Sequence, residues 1–437
     1  MIWLLVIACF PKQGLGPVDE EAREPRLVIA HTNDLHTYYE PTPVDVEGQV
    51  EMWGGFERID GLLGELRREH GEDNLLYLDA GDLLTGTPLM EFEHRGVQGG
   101  AMLDLIAATD CDAMVLGNHE FDRGKDNVAA LVAASEVPII SANLVAVDQP
   151  NVPAIPGLKP HIILSAAGER VGVFGLTTAD LPQIVNPAAL DGVWVRDPIE
   201  VAREQVEILS PQVDVIVALT HIGLEPDLDL AAQVDGIDLI VGGHSHTAME
   251  SAEEVGSTWV VQAGQYARNV GIALAPMEYG GDWSWSRFDL SEDGPEAGPA
   301  VVDLVASWSA KVTERFEVPV GEVSGPLNRD EPGQSGMGKW ASDLVREAAG
   351  ADVGIYNRGG LRSDLGAGPL GLMDLDRVFP FGNEVVSFEW TGAELRQVVE
   401  KGLGDVLSED PARLQWSGIQ YFWGIYEGEP RLQELYV

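Results

Sequence analysis

Strand-sized apolar runs that alternate with amphipathic helical stretches predict an α/β fold. The runs are nearly continuous rather than alternating apolar with polar, so their strands are expected to be covered on both faces. A stretch rich in Gly, Pro and acidic residues at 276–300 reads as a linker, and a second, smaller α/β unit follows it. In the first unit the apolar runs fall at 27–30, 75–78, 113–116, 137–140, 171–176, 215–219, 237–241 and 259–261. Between the first two, Phe56, Ile59, Leu62, Leu63 and Leu66 form one stripe of a helix over 55–70, with Glu57, Arg58, Glu65, Arg67 and Arg68 outside it. Residues 300–315 read as a helix with Val301, Leu304, Val305 and Trp308 at core spacing. In the second unit, helices are expected over 338–348 and 392–401, and strands over 353–356 and 431–437. The expected organisation is a leader and linker at 1–25, a first domain at 26–285, a linker with connecting helix at 286–317, and a second domain at 318–437.

Of 437 residues, 71 are acidic and 27 basic, a net charge of −44. Such a surface excludes general binding to polymeric nucleic acid, which needs basic side chains to neutralise phosphates. It also excludes docking on anionic lipid through basic patches. An anionic substrate would have to be met by metal ions or a few placed arginines, against a repulsive global field. The two cysteines, Cys9 and Cys111, are too few for a disulfide framework. Residues 2–8 read Ile-Trp-Leu-Leu-Val-Ile-Ala, and Val6-Ile7-Ala8-Cys9 resembles the end of a bacterial lipoprotein signal. The resemblance implies export to the periplasm or cell surface, with Cys9 lipidated and membrane contact only through that anchor. Cys111 is then an unpaired, buried thiol beside Met114 and Val115. No later segment approaches the roughly 18 unbroken apolar residues of a membrane span.

Polar residues cluster directly after five of the apolar runs. They are Asn33, Asp34 and His36; Gly81 and Asp82; Gly117, Asn118, His119, Glu120 and Asp122; His221; and Gly242, Gly243, His244, Ser245 and His246. Open α/β sheets build their sites at the carboxyl ends of strands, so residues spread over two hundred positions can converge. Five of the nine histidines fall in these loops, whereas His31, His70, His94 and His161 do not and read as structural or surface residues. Imidazole, carboxylate and one amide, without cysteine, suit Zn, Mn, Co or Fe as divalent ions. Two such ions about 3.5–4 Å apart need a bridging carboxylate and can clamp an in-line displacement at phosphorus. Asp82 is the expected bridge. The glycines at 117, 242 and 243 read as tight-turn residues.

These blocks resemble the calcineurin-like metallophosphoesterase signature. The fuller forms Gly117-Asn118-His119-Glu120-Phe121-Asp122 and Gly242-Gly243-His244-Ser245-His246-Thr247 are similar to the 5'-nucleotidase branch. The resemblance implies a four-layer β-sandwich flanked by helices, then the smaller α/β domain. It implies one metal on Asp34, His36, Asp82 and His246, and another on Asp82, Asn118, His221 and His244. His119 would stabilise charge on the transferring phosphoryl group, with Asp122 orienting its ring. Thr37 stands where the family commonly has glycine, which changes loop shape and leaves the ligands intact.

In the second unit, Asn357-Arg358-Gly359-Gly360-Leu361-Arg362 and Phe379-Pro380-Phe381-Gly382-Asn383 are each expected to follow a strand. Arg362 can hold a phosphate by two parallel hydrogen bonds, and Phe381 can offer a ring to a base. By resemblance to the 5'-nucleotidase C-terminal domain, Arg329, Asn357, Arg362, Phe381 and Asn383 contact phosphate, ribose or base. Met337 stands where an asparagine is common, and Arg358 replaces a small residue. Family members continue past a segment like Leu414-Gln415-Trp416-Ser417-Gly418 with a second aromatic ring and an aspartate, so the second domain reads as truncated. Residues 300–320 would be the hinge between the domains. The implied activity is hydrolysis of nucleoside 5'-monophosphates, with UDP-sugars as a further substrate, by a monomer. Two alternatives share the metal blocks or the fold: a 2',3'-cyclic-nucleotide 2'-phosphodiesterase with 3'-nucleotidase activity, and a non-catalytic cell-surface binding protein.

Overall fold

The computed structural model describes residues 26–46, 49–276, 281–291, 294–329, 334–381, 383–403, 414–426 and 429–437. The leader and Cys9 lie outside the described residues. The strands of the first domain's two six-stranded sheets are β1 (Val28–Thr32), β2 (Leu75–Asp79), β3 (Ala113–Val115), β4 (Ile139–Ile140), β5 (His161–Ala166) and β6 (Glu169–Thr177). They continue as β7 (Val215–His221), β8 (Leu239–Val241), β9 (Glu253–Val255), β10 (Thr258–Val261), β11 (Asn269–Leu274) and β12 (Ser284–Asp289). One sheet runs in the order β12-β11-β1-β2-β3-β4 and the other β5-β6-β7-β8-β10-β9. In each, four adjacent strands are parallel and the remainder antiparallel.

The two sheets face each other. Leu27, Ile29, Leu76 and Leu78 of one share a core with Val171, Val173, Val217, Leu219 and Val241 of the other. On the opposite face of the first sheet, Val28, Ala30 and Tyr77 pack with the helices Phe56–His70 and Ala101–Ala108. The outer face of the second sheet packs Phe174, Ile216 and Ala218 against the helices Pro198–Leu209 and Leu224–Gln233. Successive side chains of one strand thus enter different cores, which is why its sequence shows an unbroken apolar run. The result is the four-layer helix–sheet–sheet–helix arrangement.

The stretch read as linker contains a strand. β12 pairs with β11 along its length, with Trp285 opposite Ala273, and so belongs to the first sheet. The expected domain limit at 285 falls inside it. As an edge strand with exposed Ser284 and Ser286 and with Arg287 on the partly buried face of Trp285, it carries too little apolar sequence to stand out from its Gly- and acid-rich flanks. The connecting helix is Pro299–Phe316, and it buries Val301, Val305, Trp308, Val312 and Phe316 in the outer core of the first domain. Beyond it, the described sheets are two-stranded ribbons, and the helices Gly336–Ala349 and Gly392–Leu403 cover two small apolar groups.

Candidate metal centre and substrate cleft

The predicted ligands sit where parallel strands end. Asp34 and His36 follow β1, Asp82 follows β2, Asn118 follows β3, His221 ends β7, and His244 and His246 follow β8. Asp34, His36, Asp82, His244 and His246 all have left-handed backbones, with φ of 53°, 50°, 57°, 78° and 57°. That conformation costs a non-glycine residue roughly 1–2 kcal/mol. It persists because neighbours fix it: Asp34 N donates to Gly81 O and His36 N to Asp82 O, both at 2.9 Å, and Tyr266 N donates to Asp34 O at 2.8 Å. Gly117 has a different task from turn formation. A Cβ there would lie 2.2 Å from Asp82 Oδ1, so glycine lets the Asn118 loop close over the Asp82 carboxylate.

Asp34, His36 and His246 offer ligand atoms that all lie within 4.8 Å of one another, as do Asp82, His221 and His244, and His36, Asp82 and His119. His246 Nε2 is 3.2 Å from Asp34 Oδ1, and His221 Nε2 is 3.1 Å from Asp82 Oδ2. Asn118 Oδ1 is 3.3 Å from His221 Nε2. The arrangement brings the seven predicted ligands into one centre.

The hydrogen bonds behind the rings show what such a centre needs. His221 Nδ1 lies 2.7 Å from Ala80 O and therefore carries the proton. Its Nε2 lone pair then faces the oxygens of Asp82 and Asn118. His36 Nδ1 is likewise 2.9 Å from Thr85 O, and its Nε2 faces His246 Nε2 at 3.0 Å. Acceptors turned on acceptors are balanced only by a cation, either a proton or a metal ion. Burial disfavours a charged His221, but the Asp82 carboxylate and its hydrogen bond reverse this and carry the pKa to about 10. Burial likewise opposes ionisation of Asp34, yet His246 holds it down at about 2. The donor set therefore fits divalent ions bound by imidazole and carboxylate.

His119 stands at the edge of this centre. Its Nδ1 is 2.7 Å from Asp122 Oδ2 and its Nε2 is 4.0 Å from Asp82 Oδ2. Burial works against protonation, but Asp122 and then Asp82 outweigh it and raise the pKa.

Sequence reasoning left several supporting groups without a role. Glu120 is fully buried and accepts four backbone N–H groups: Leu83 (2.8 Å) and Leu84 (3.2 Å) on Oε1, Gly117 (2.7 Å) and Asp82 (3.2 Å) on Oε2. It ties the loop after β2 to the loop after β3. An acid followed by Phe121 inside a ligand loop was the available signal. Gln262 does the same for the last loop, donating from Nε2 to Gly243 O and accepting from Ser245 Oγ and Thr247 N on Oε1. Asn33 Nδ2 donates to Asp34 Oδ2 at 2.7 Å. Of the histidines set aside, His31 is buried and accepts from Trp285 Nε1 at 2.9 Å.

The second domain brings two of its predicted residues to the centre. The Phe381 ring stacks on His119, with centroids 5.6 Å apart at 22°. Arg362 lies 5.7 Å from the Phe381 centroid, close enough for its charge to bear on His36 and His119. Arg329 donates from Nη1 to Arg362 O at 3.0 Å, so it braces the loop that carries Arg362, and its charge bears on Arg268 of the first domain. Asn357 and Asn383 are exposed, and the Asn383 side chain is bonded to Tyr356.

A family model of the calcineurin-like phosphoesterases matches residues 27–248, and one of the 5'-nucleotidase C-terminal domain matches residues 315–436. The chain is 29% identical to the trifunctional nucleotide phosphoesterase protein YfkN of Bacillus subtilis (strain 168) over 94% of its own length, and it spans 29% of that protein. It is 27% identical to a 5'-nucleotidase of Diplobatis ommata, covering 90% of this chain and 74% of that one. Its fold is similar to the crystal structure of a 5'-nucleotidase precursor from Thermus thermophilus, with a TM-score of 0.82 and 28% identity, covering 94% of this chain and 85% of that one.

Proposed function

The chain belongs to the 5'-nucleotidase family, a calcineurin-like phosphoesterase domain joined to a 5'-nucleotidase C-terminal domain, and from that premise we propose that it removes the phosphate of nucleoside 5'-monophosphates at two divalent ions. That it is a phosphoester hydrolase with divalent metal cofactors follows from the family and the clustered ligands. The finer reading rests on one observation above the others: acceptor atoms of Asp34, His36, Asp82, His221 and His246 facing one another at 3.0–3.8 Å. One ion would be held by Asp34, His36, Asp82 and His246, the other by Asp82, Asn118, His221 and His244. Bound there, such ions bring the pKa of water near neutral and offset charge at phosphorus.

The chain's own groups supply the rest. His119, kept protonated by Asp122, directs Nε2 toward the phosphoryl oxygens, where negative charge grows in the transition state. Arg362 is positioned to take the same phosphate through its two-pronged guanidinium. Phe381 is the surface for the base. Because its ring rests on His119 here, a base stacks on it only as the second domain turns away about the Pro299–Phe316 helix. Export as a lipoprotein through Cys9 is part of the proposal and rests on residues 2–9 alone. Among the described residues no helix is long and apolar enough to cross a membrane.

The deciding experiment compares AMP, UDP-glucose, 2',3'-cyclic AMP and an aryl phosphate with added Mn²⁺, Co²⁺ or Zn²⁺. AMP is expected to lead. Preference for the cyclic nucleotide would move the chain to the phosphodiesterase reading, and strong aryl phosphate turnover without nucleotide preference would remove Phe381 from base recognition. A non-catalytic binding protein would show no turnover with any metal.

A further inference from the structure

Behind the turn that carries His119 lies a cavity with no part in the reading above. It measures about 220 Å³ and is walled by the helix Lys125–Ala134, the turn Pro187–Leu190 and the segment 154–156. Buried Phe121, Val128, Ile155 and Ala189 form its floor, and Lys125, Asp126 and Asp191 stand exposed at its rim. Apart from these three charges, every lining side chain is apolar. An apolar cavity of roughly 150 Å³ already takes a benzene ring and has little hold on water. This one suits a single aromatic ring with a short arm.

The rim decides what the arm carries. Lys125 Nζ lies 2.7 Å from Asp191 Oδ2, so its charge is answered. Asp126, next in the chain, has no hydrogen bond and no cation within 4.0 Å among the described residues. One lysine against two aspartates leaves one negative charge over. The protein as a whole carries −44, and its field draws cations and repels anions. An ammonium on the arm would meet Asp126, whereas a carboxylate would meet repulsion from Asp126 and from the whole molecule.

The floor gives the cavity its consequence. Phe121 closes the turn His119–Phe121, its N–H donating to Asn118 O at 3.1 Å and its carbonyl accepting from Gly124 N at 2.9 Å. Asn118 is one of the seven predicted ligands, and His119 and Asp122 are the pair set toward the phosphoryl group. A ring resting on Phe121 touches the back of the turn that holds all three.

We propose that this cavity is a regulatory site for a small aromatic cation, an arylalkylammonium, whose ring lies on Phe121 and whose ammonium pairs with Asp126. Occupancy is felt at the metal centre through the turn, without contact to substrate. The site requires neither nucleotide hydrolysis nor a bound metal, so it stands or falls apart from the nucleotidase reading.

The test uses the full chain with Mn²⁺ and 2-phenylethylammonium as the probe, in about 0.15 M salt so that the distant field is screened. Calorimetry should find one site. The ammonium should bind about fivefold more tightly than 2-phenylethanol or 3-phenylpropionate, the scale of one exposed ion pair. Saturating methylphosphonate, which occupies the metal centre, should leave that affinity unchanged. Asp126→Asn should erase the preference for the ammonium while 2-phenylethanol binds as before. Ala129→Leu, which fills the cavity from the helix, should weaken both ligands at least about tenfold, because the ring loses its burial. Asp126 is exposed, so its variant decides the matter if the filled one misfolds. With the probe bound, kcat for an aryl phosphate should shift at least about twofold at unchanged KM, and the shift should vanish in Ala129→Leu. Absence of binding, a preference that survives Asp126→Asn, or displacement by methylphosphonate overturns the site. Binding as stated with kcat unmoved overturns its regulatory role. If the probe binds as stated but AMP is not hydrolysed, the nucleotidase reading falls and the site stands.

Discussion

The cleft has two walls of different construction. On the first domain, Asp34, Asp82 and His221 are at most 1% exposed, and their loops are locked by Glu120, Gln262 and Asn33. On the second, Arg362 and Phe381 are half-buried, Asn357 and Asn383 are exposed, and the supporting apolar groups are small. The wall that gathers charge is strained, buried and fixed in advance. The wall that would read the substrate is held by short loops and contacts the first through an aromatic pair. The physical lesson is a division of labour. Strain and burial are tolerated where charge must be placed to a fraction of an ångström, whereas a surface that must release product is kept loosely packed.

That contrast is open to direct attack. The largest effect is expected from His119→Ala, which removes a donor aimed at the developing charge. Its kcat should fall by about 10²–10³ with KM for AMP changed little and metal content retained. A loss of metal instead would make His119 a ligand and blur the line between the walls. Next comes Glu120→Gln. The amide would set an NH₂ against two of the four backbone donors, loosening the loops that hold Asp82 and Asn118. Metal affinity should drop about 10–100-fold, read by equilibrium dialysis, and saturating Mn²⁺ should restore most of kcat. Failure of metal to restore activity would place Glu120 in the chemistry itself. On the opposite wall, Phe381→Ala should raise KM for AMP about tenfold, the scale of one lost base–aromatic stack, and leave KM for an aryl phosphate within about twofold of wild type. Equal losses for both substrates would mean that Phe381 acts by covering His119.

The sequence was most legible where the fold is most constrained. Ligand loops announced themselves because strands buried on both faces are unbroken apolar runs, and any polar residue at their ends stands out. β12 was hidden because an edge strand needs little apolar sequence. Glu120 was visible but unassigned, since its partners are backbone N–H groups that leave no side-chain pattern. Tyr266 lies well beyond the last ligand block and carries no motif. The bond from its N–H to Asp34 O and the edge-on contacts of its ring with His36 and His246 bring it to the centre. The resting contact of Phe381 with His119 depends on how two domains meet, which local patterning does not encode.

The smallest predicted effect probes the seam between the walls. Asp376 lies on the helix Leu372–Val378, which packs against the turn Pro88–Glu91 of the first domain. Burial and Glu91 push its pKa up to about 6, while Arg123, Arg315 and Arg377 pull the other way. The folded-state value is above the ordinary 3.8, so the folded protein binds this proton more tightly than the unfolded chain does. The stability it contributes is complete below that ordinary value, declines as pH rises, and is gone above about 6. Asp376→Asn removes the titration. The variant should therefore melt with wild type near pH 4 and above it at pH 7.5, by on the order of 2–4 °C, since partial exposure screens the charge. If the gap between variant and wild type were the same at both pH values, the carboxyl would not be titrating at the seam. The two domains would then be held by shape and the Phe381–His119 contact alone, and the substrate wall would be freer to swing than the charges at its edge imply.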